Sequence, residues 1–166
     1  MILIAFDGSD DAKSAIEHAG CLMTGQPATV VTVWEPYIQM LTRYPAPGAL
    51  LVAGDTSDID DASSTAAGEK AAEGAGLARA HGLDAASYCL TREGSIAETL
   101  LAEADRINAS AIVVGSRGLG GLGSLFLGSV SHALLQHADR PVVIVPSPKV
   151  ARKRSERRGA QDEAAV

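Results

Sequence analysis

Gly115-Ser116-Arg117-Gly118 and, nine residues later, Gly128-Ser129-Val130 form the stretch that decides the fold of this chain. The apolar, largely β-branched run at 111–114 leads into it, and such a run predicts a buried strand. Apolar residues then recur at helical spacing from Val130 onward, which predicts a helix that begins near Ser129. A strand, a glycine-rich loop and a helix in this order are typical of doubly wound α/β proteins.

The same stretch predicts an anion-binding site. Glycines let the backbone approach a phosphate closely, amides at the start of a helix point toward it, and the helix dipole favours negative charge. Arg117 lies inside the loop and would offset phosphate charge, although a solvated loop arginine is the alternative. We therefore expect the phosphates of a nucleotide to bind here.

The spacing of the glycines distinguishes this loop from two common phosphate-binding loops. No Gly-Lys-Ser/Thr follows the glycines, which excludes a Walker A loop. Gly118, Gly120 and Gly123 match the dinucleotide-binding G-x-G-x-x-G pattern, but they lie within a long loop and not at a tight strand–helix turn. The longer spacing Gly-x2-Gly-x9-Gly-Ser is more specific, because it defines three glycines and a serine over fifteen residues.

This longer spacing, Gly115-x2-Gly118-x9-Gly128-Ser129, resembles the ATP-binding motif of the universal stress protein family. Residues 2–9 resemble the family's first strand with its Asp and following Ser, and residues 140–146 resemble its last strand. The resemblance covers about residues 1–148. It implies a single-domain, three-layer α/β/α fold with a five-stranded parallel sheet, adenine nucleotide alpha hydrolase-like and hence Rossmann-like. It also implies ATP at the strand ends and a homodimer.

The resemblance further implies roles for ten residues. Asp7 would contact the ribose, Ala5 would line the nucleotide, and Val33 would contact adenine through its backbone. The phosphate chain would be held by Gly115, Arg117 and Gly118. The residues that would close over the outer phosphates are Gly128, Ser129, Val130 and Ser131. Mg²⁺ is expected to arrive with the triphosphate, and no protein metal site is expected. Simpler roles remain open, because Asp7 would also suit an Asx turn or a helix cap and Ser129 an N-cap.

The order of elements along the rest of the chain supports the same fold. Strands alternating with helices predict a parallel, doubly wound sheet. Asp7, Val33 and Gly115 all end predicted strands, the side of such a sheet where ligands bind. Ser95 and Glu98 predict a capping box. We expect residues 35–61 to be a long irregular stretch that folds over the nucleotide as a lid.

Composition limits the class of protein. A chain of 166 residues with 46% apolar but only 4% aromatic residues suits one domain whose core is packed by small side chains. We expect no signal peptide, because Met1 leads directly into the strand-like residues 2–6 without a basic flank, and no apolar run approaches the ~20 residues of a membrane span. Cys21 and Cys89 lack metal-ligand spacing and are expected to be buried, reduced thiols. We expect a cytoplasmic protein without a membrane partner.

Charge is distributed unevenly along the chain. Residues 1–148 carry 8 basic and 17 acidic residues, a net charge of −9, which argues against nucleic-acid binding. Residues 149–166 carry 6 basic and 3 acidic residues. We expect this basic tail to be a disordered extension, with RNA, an acidic partner or a membrane surface as alternative contacts.

The sequence contains no recognisable catalytic motif. It lacks a G-x-S-x-G elbow, an H-E-x-x-H motif and an acid–base pair beside the glycine loop, so we expect at most slow ATP hydrolysis. The favoured function is an ATP-binding regulatory or protective protein in stress response. The alternatives are a slow ATPase or nucleotidyl-type enzyme on the same fold, and a dimeric scaffold without nucleotide. Dimerisation is expected through the apolar edge strand Val142–Val145.

Overall fold

The computed structural model describes residues 1–43, 55–119 and 127–163. Five parallel strands form one sheet in the order β3-β2-β1-β4-β5. The strands are β1 (Ile2–Ala5), β2 (Pro27–Trp34), β3 (Asp84–Thr91), β4 (Ala111–Gly115) and β5 (Val142–Val145). The described helices are α1 (Asp10–Leu22), α2 (Tyr37–Arg43), α3 (Ser57–Ala80), α4 (Ile96–Arg106), α5 (Ser129–His137) and α6 (Pro148–Glu163). The predicted α/β fold with a five-stranded parallel sheet is confirmed.

Helices cover both faces of the sheet and enclose two apolar cores. Helices α1 and α3 pack on one face, where the core consists mainly of alanines from the helices and branched residues from the strands. Helices α4 and α5 contribute to the core on the other face, with Leu100 and Leu134 fully buried. Small residues therefore do much of the packing, as the low aromatic content predicts.

The strand order places three predicted site residues near one another. Strand β1 lies in the middle of the sheet, paired with β2 on one side and β4 on the other. Because all strands are parallel, the carboxyl ends of these three strands lie at the same edge. Asp7, Val33 and Gly115 are found there. Strand β5 is an edge strand, and it pairs with β4 from Val142 to Val145.

The helix starts follow the capping residues of the sequence. Ser9 is the N-cap of α1, and its side chain accepts a hydrogen bond from the amide of Ala12. Ser95 and Glu98 form the predicted capping box at the start of α4. Both caps satisfy amides that the helix itself leaves unpaired.

The prediction of an irregular stretch over residues 35–61 is wrong where the structure describes it. Residues Tyr37–Arg43 form α2, and α3 begins at Ser57. Tertiary contacts explain the short helix: the Tyr37 amide donates to Asp60 Oδ1 over 2.7 Å, and the Leu41 side chain is buried. Residues 44–54, the middle of the expected lid, lie outside the described residues.

Two further expectations differ from the structure. The tail at 149–166 was expected to be disordered, but its described residues, 149–163, lie in helix α6, which Val150 anchors with 2% of its surface exposed. The expectation that both cysteine thiols are buried is also wrong. Cys21 is exposed because it lies on the solvent side of the last turn of α1, and Cys89 is half-buried. Within the described ranges, no helix is long and apolar enough to cross a membrane.

Candidate functional site

A cavity of about 520 Å³ opens at the carboxyl end of the sheet. Its volume lies within the range of small-molecule sites in proteins. The structure brings all ten predicted site residues to its wall: Ala5, Asp7, Val33, Gly115, Arg117, Gly118, Gly128, Ser129, Val130 and Ser131. They lie in β1 and the turn after it, in β2, in β4 and the loop after it, and at the start of α5. They are up to 126 positions apart in the sequence, from 5 to 131.

One part of the cavity wall is apolar. Ala5 and Val33 from the sheet adjoin Ile96 from α4, and all three pack against the core on that face. Leu100 and Val114 also belong to this wall. Ile96 and Leu100 are not among the predicted site residues. Their helical spacing indicated only that they face inward, because a core position and a cavity wall have the same periodicity.

The polar rim of the cavity is formed by the turn after β1, the described part of the loop after β4, and the start of α5 at Gly128. Asp7 connects the first two of these segments. Its Oδ1 accepts a hydrogen bond from the Ser9 amide at 3.0 Å, the Asx turn that the sequence left open. Its Oδ2 accepts one from the Leu119 amide at 3.2 Å. A carboxylate offers about four lone-pair directions, so these two amides leave capacity for further donors.

Two glycines of the motif occupy positions where a side chain does not fit. A Cβ on Gly115 would lie 2.7 Å from the carbonyl carbon of Asp11, in the first turn of α1. A Cβ on Gly118 would lie 2.6 Å from Asp7 Oδ2. Real Cβ contacts are not this short, so Gly115 allows α1 to pack closely and Gly118 leaves room for the Asp7 carboxylate.

Helix α5 begins at the cavity without a side-chain cap. Its N-cap is Gly128, with no side-chain hydrogen bond, so Ser129 is the first helical residue and not the N-cap. The Ser131 hydroxyl is buried and donates to the Gly115 carbonyl at 2.7 Å, which joins α5 to β4. The leading amides of such a helix start are available to an anion.

The comparisons with known proteins agree with this architecture. The sequence model of the universal stress protein family matches residues 1–146. The chain belongs to the universal stress protein family. It is 35% identical to a universal stress protein of Thermus aquaticus over 146 residues, which is 87% of this chain and 96% of that protein.

Two solved structures place this family member among proteins of the same fold. A universal stress protein family member from Burkholderia pseudomallei has 27% identity and a TM-score of 0.61, with 87% of this chain and 94% of that chain covered. The universal stress protein of Archaeoglobus fulgidus in complex with dAMP has 22% identity and a TM-score of 0.55, with 87% and 95% covered.

Asp11 and Ser116 are two residues of this universal stress protein that sequence reasoning missed. Both side chains are buried, and the Ser116 hydroxyl donates to Asp11 Oδ2 at 2.7 Å. Arg117 Nε lies 4.0 Å from the same oxygen. The helical periodicity of α1 gives no signal for a buried aspartate, because Asp11 contacts a residue 105 positions away.

The described residues of this site provide groups suited to binding a charged ligand and groups suited to an apolar one. An anion can be bound by the glycine backbone, the start of α5 and Arg117. The apolar wall suits a flat apolar ring. Among the residues that the structure describes, no three His, Cys, Asp or Glu side chains come together as metal ligands. The geometry therefore favours binding of an amphipathic anion.

Proposed function

We propose that this universal stress protein binds ATP, with Mg²⁺ carried by the triphosphate, and acts in the cytoplasm as a nucleotide-dependent regulatory or protective module in stress response. The observation that carries the proposal is the convergence of the glycine motif, Asp7 and Val33 on one cavity. These residues were selected from the sequence alone, and they come from four separate elements.

The apolar wall supports an adenine ring as the ligand group at that side of the cavity. Ala5, Val33 and Ile96 present apolar surface, and burying a flat ring against it is favourable by about 25 cal/mol per Å². The family member from Archaeoglobus fulgidus holds dAMP, so an adenine nucleotide is a ligand class that this fold accommodates.

The polar rim supports a phosphate chain. The start of α5 at Gly128 has no side-chain cap, so its leading amides are available to an anion. Arg117 lines the same cavity and would offset part of the phosphate charge. Asp7 retains acceptor capacity beside this rim, as ribose hydroxyls require. The residues present thus fit a nucleotide.

Binding without efficient turnover is the proposed mode of action. ATP that binds only the folded protein stabilises it by about 2.7 kcal/mol at a concentration one hundred times its dissociation constant. ATP binding shifts the population toward the conformation that binds ATP more tightly, and a partner protein can recognise the surface of that conformation. A regulatory protein needs this difference between bound and free states, and it needs no acid–base pair.

Homodimerisation is a second part of the proposal. Strand β5 (Val142–Val145) lies at the sheet edge, and its first three residues remain partly exposed. An apolar edge strand offers unpaired backbone groups to a second copy. The proposed dimer therefore pairs the β5 strands of two chains.

Thermal unfolding of the purified protein tests nucleotide binding. Mg-ATP at one hundred times its dissociation constant should raise Tm by about 5 to 10 °C, and AMP, cyclic AMP and Mg²⁺ alone serve as comparators. Mass spectrometry of the denatured protein identifies any nucleotide that co-purifies. If no nucleotide co-purifies and none changes Tm, the proposal is rejected. A larger shift with AMP or cyclic AMP would replace ATP as the ligand.

A further inference from the structure

Ser116 joins three elements around the cavity and is fully buried. Its amide donates to the Val145 carbonyl of β5 at 2.7 Å, and its carbonyl accepts from the Gly128 amide at 2.8 Å. Its hydroxyl donates to Asp11 Oδ2 at 2.7 Å. The amide, carbonyl and hydroxyl of Ser116 are therefore all hydrogen-bonded, to β5, to the N-cap of α5 and to α1 respectively.

Asp11 is an unusual partner because it is an aspartate with only 6% of its surface exposed. It lies in the first turn of α1, where the helix dipole favours a negative charge. The same Oδ2 that accepts from Ser116 lies 4.0 Å from Arg117 Nε. One carboxylate oxygen thus faces both the residue that holds Gly128 and the cation of the glycine loop.

Neither Asp11 nor Ser116 lines the cavity, whereas Arg117 and Gly128 do. Any effect of the pair on a ligand must therefore act through neighbouring residues, and Gly128 and Arg117 are cavity residues that the pair contacts by hydrogen bond and by charge. Gly128 sets where α5 begins, and Arg117 is the loop's cation. Both belong to the polar rim, and the apolar wall is built from other residues.

We propose that Asp11 and Ser116 are a positioning pair for the phosphate end of the ligand. The pair holds Gly128 and Arg117 in place before the ligand arrives, so less ordering is needed on binding. This inference rests on the proposed function, since it assumes that a nucleotide phosphate chain occupies the polar rim. It predicts a selective effect: phosphate recognition depends on the pair, and recognition of the nucleoside does not.

Calorimetric titration with Mg-ATP and with adenosine tests the selectivity. Ser116→Ala removes the donor and leaves a buried carboxylate without it, and Asp11→Ala removes the acceptor. Either change should lower the ratio of ATP affinity to adenosine affinity about tenfold, the effect of losing one charge-assisted hydrogen bond. Because Ser116→Ala has the greater risk of misfolding, Asp11→Ala provides an independent second test.

Two further variants serve as controls. Asp11→Asn retains an acceptor oxygen for the Ser116 hydroxyl but removes the charge that faces Arg117, so the affinity ratio should fall by less than it does in Asp11→Ala. Thr29→Val removes a buried hydroxyl near the amino end of the sheet, which donates to Met1 Sδ at 3.5 Å. This variant should leave the ratio unchanged, whatever its effect on Tm.

The outcomes separate this inference from the proposed function. If the unmodified protein binds ATP but both alanine variants keep its affinity ratio, the positioning role is rejected and nucleotide binding stands. A parallel loss of ATP and adenosine affinity would also reject it, because it would indicate a general structural role. If the unmodified protein binds no nucleotide, the proposed function fails and this inference fails with it.

Discussion

The amide of Leu119 donates a hydrogen bond to Asp7 Oδ2 at 3.2 Å, which joins the glycine loop after β4 to the turn after β1. The two residues are 112 positions apart in the sequence. Asp7 Oδ1 meanwhile accepts from the Ser9 amide. One carboxylate thus connects the turn that starts α1 with the loop that carries the glycine motif, and both border the cavity.

Replacing Asp7 should weaken both the fold and nucleotide binding. Asp7→Ala removes the acceptor for two backbone amides, and we expect the free energy of unfolding to fall by about 1 to 3 kcal/mol. Asp7→Asn keeps one acceptor oxygen and should lose about half as much. Urea unfolding and calorimetric titration with Mg-ATP measure the two effects. Unchanged stability in Asp7→Ala would show that these hydrogen bonds contribute no net energy.

Gly118→Ala should impair binding more than stability. The new Cβ would lie 2.6 Å from Asp7 Oδ2, so the carboxylate or the loop must move. We expect ATP affinity to fall by about tenfold. Gly118 is exposed, so the fold should persist.

Gly76→Ala is the matched control for this substitution. Gly76 lies within α3, and a Cβ there meets no atom within 4 Å. It should raise the free energy of unfolding by up to about 1 kcal/mol and leave ATP affinity unchanged. Equal ATP affinity in the Gly118 and Gly76 variants would contradict the assignment of Gly118 to the site.

Glu103 should give the protein a component of stability that acid removes. Burial raises the pKa of its carboxyl, but hydrogen bonds from Arg106 and Tyr88 lower it by more, so the net pKa lies below the ordinary 4.5. A carboxyl with a depressed folded-state pKa stabilises the fold above its unfolded-state pKa. This stability is lost as pH falls through the lower, folded-state pKa.

Glu103→Gln should remove this pH-dependent component. Urea unfolding between pH 7 and pH 3 should show a smaller decline for the variant than for the unmodified protein below about pH 4.5. At pH 7 the variant should be the less stable protein, because Arg106 loses its charged partner. Parallel pH curves for the two proteins would exclude Glu103 as a source of acid sensitivity.

Arg140 should stabilise the fold without affecting the site. Its Nη1 donates to the carbonyls of Ala104 and Ala109 at 2.8 and 3.1 Å, at the C-terminal end of α4. Arg140→Ala should lower the free energy of unfolding by about 2 kcal/mol, since two carbonyls lose a charged donor. Arg140→Lys should recover less than half, because an ammonium lacks the planar fork. ATP affinity of the folded variants should not change.

Sedimentation tests the proposed dimer. At micromolar concentration the protein should sediment with twice its chain mass of 17.0 kDa. Val142→Lys places a charge at the start of the edge strand and should shift the population toward the monomer. A monomer at every concentration of the unmodified protein would reject the dimer.

The sequence was sufficient to predict the sheet and ten of the residues around the cavity. Periodicity identified the strands, and the glycine spacing selected Gly115, Gly118 and Gly128. A Cβ does not fit at the first two of these glycines. The sequence was insufficient for α2, a helix of only 7 residues whose capping partner Asp60 is 23 positions from Tyr37. Local propensity cannot register such a distant contact, and tertiary packing overrides it.

By itself, then, the sequence determined the family, the parallel α/β fold and ten of the residues that meet at the carboxyl end of the sheet. These depend on repeating patterns and on a motif of defined spacing. Only the tertiary structure placed Asp11 beneath Ser116, brought Leu119 to Asp7 and made Ile96 part of a cavity wall. The physical reason is that each of these contacts joins residues from separate elements. Burial and hydrogen bonding between such elements depend on how they pack, and no local pattern encodes that packing.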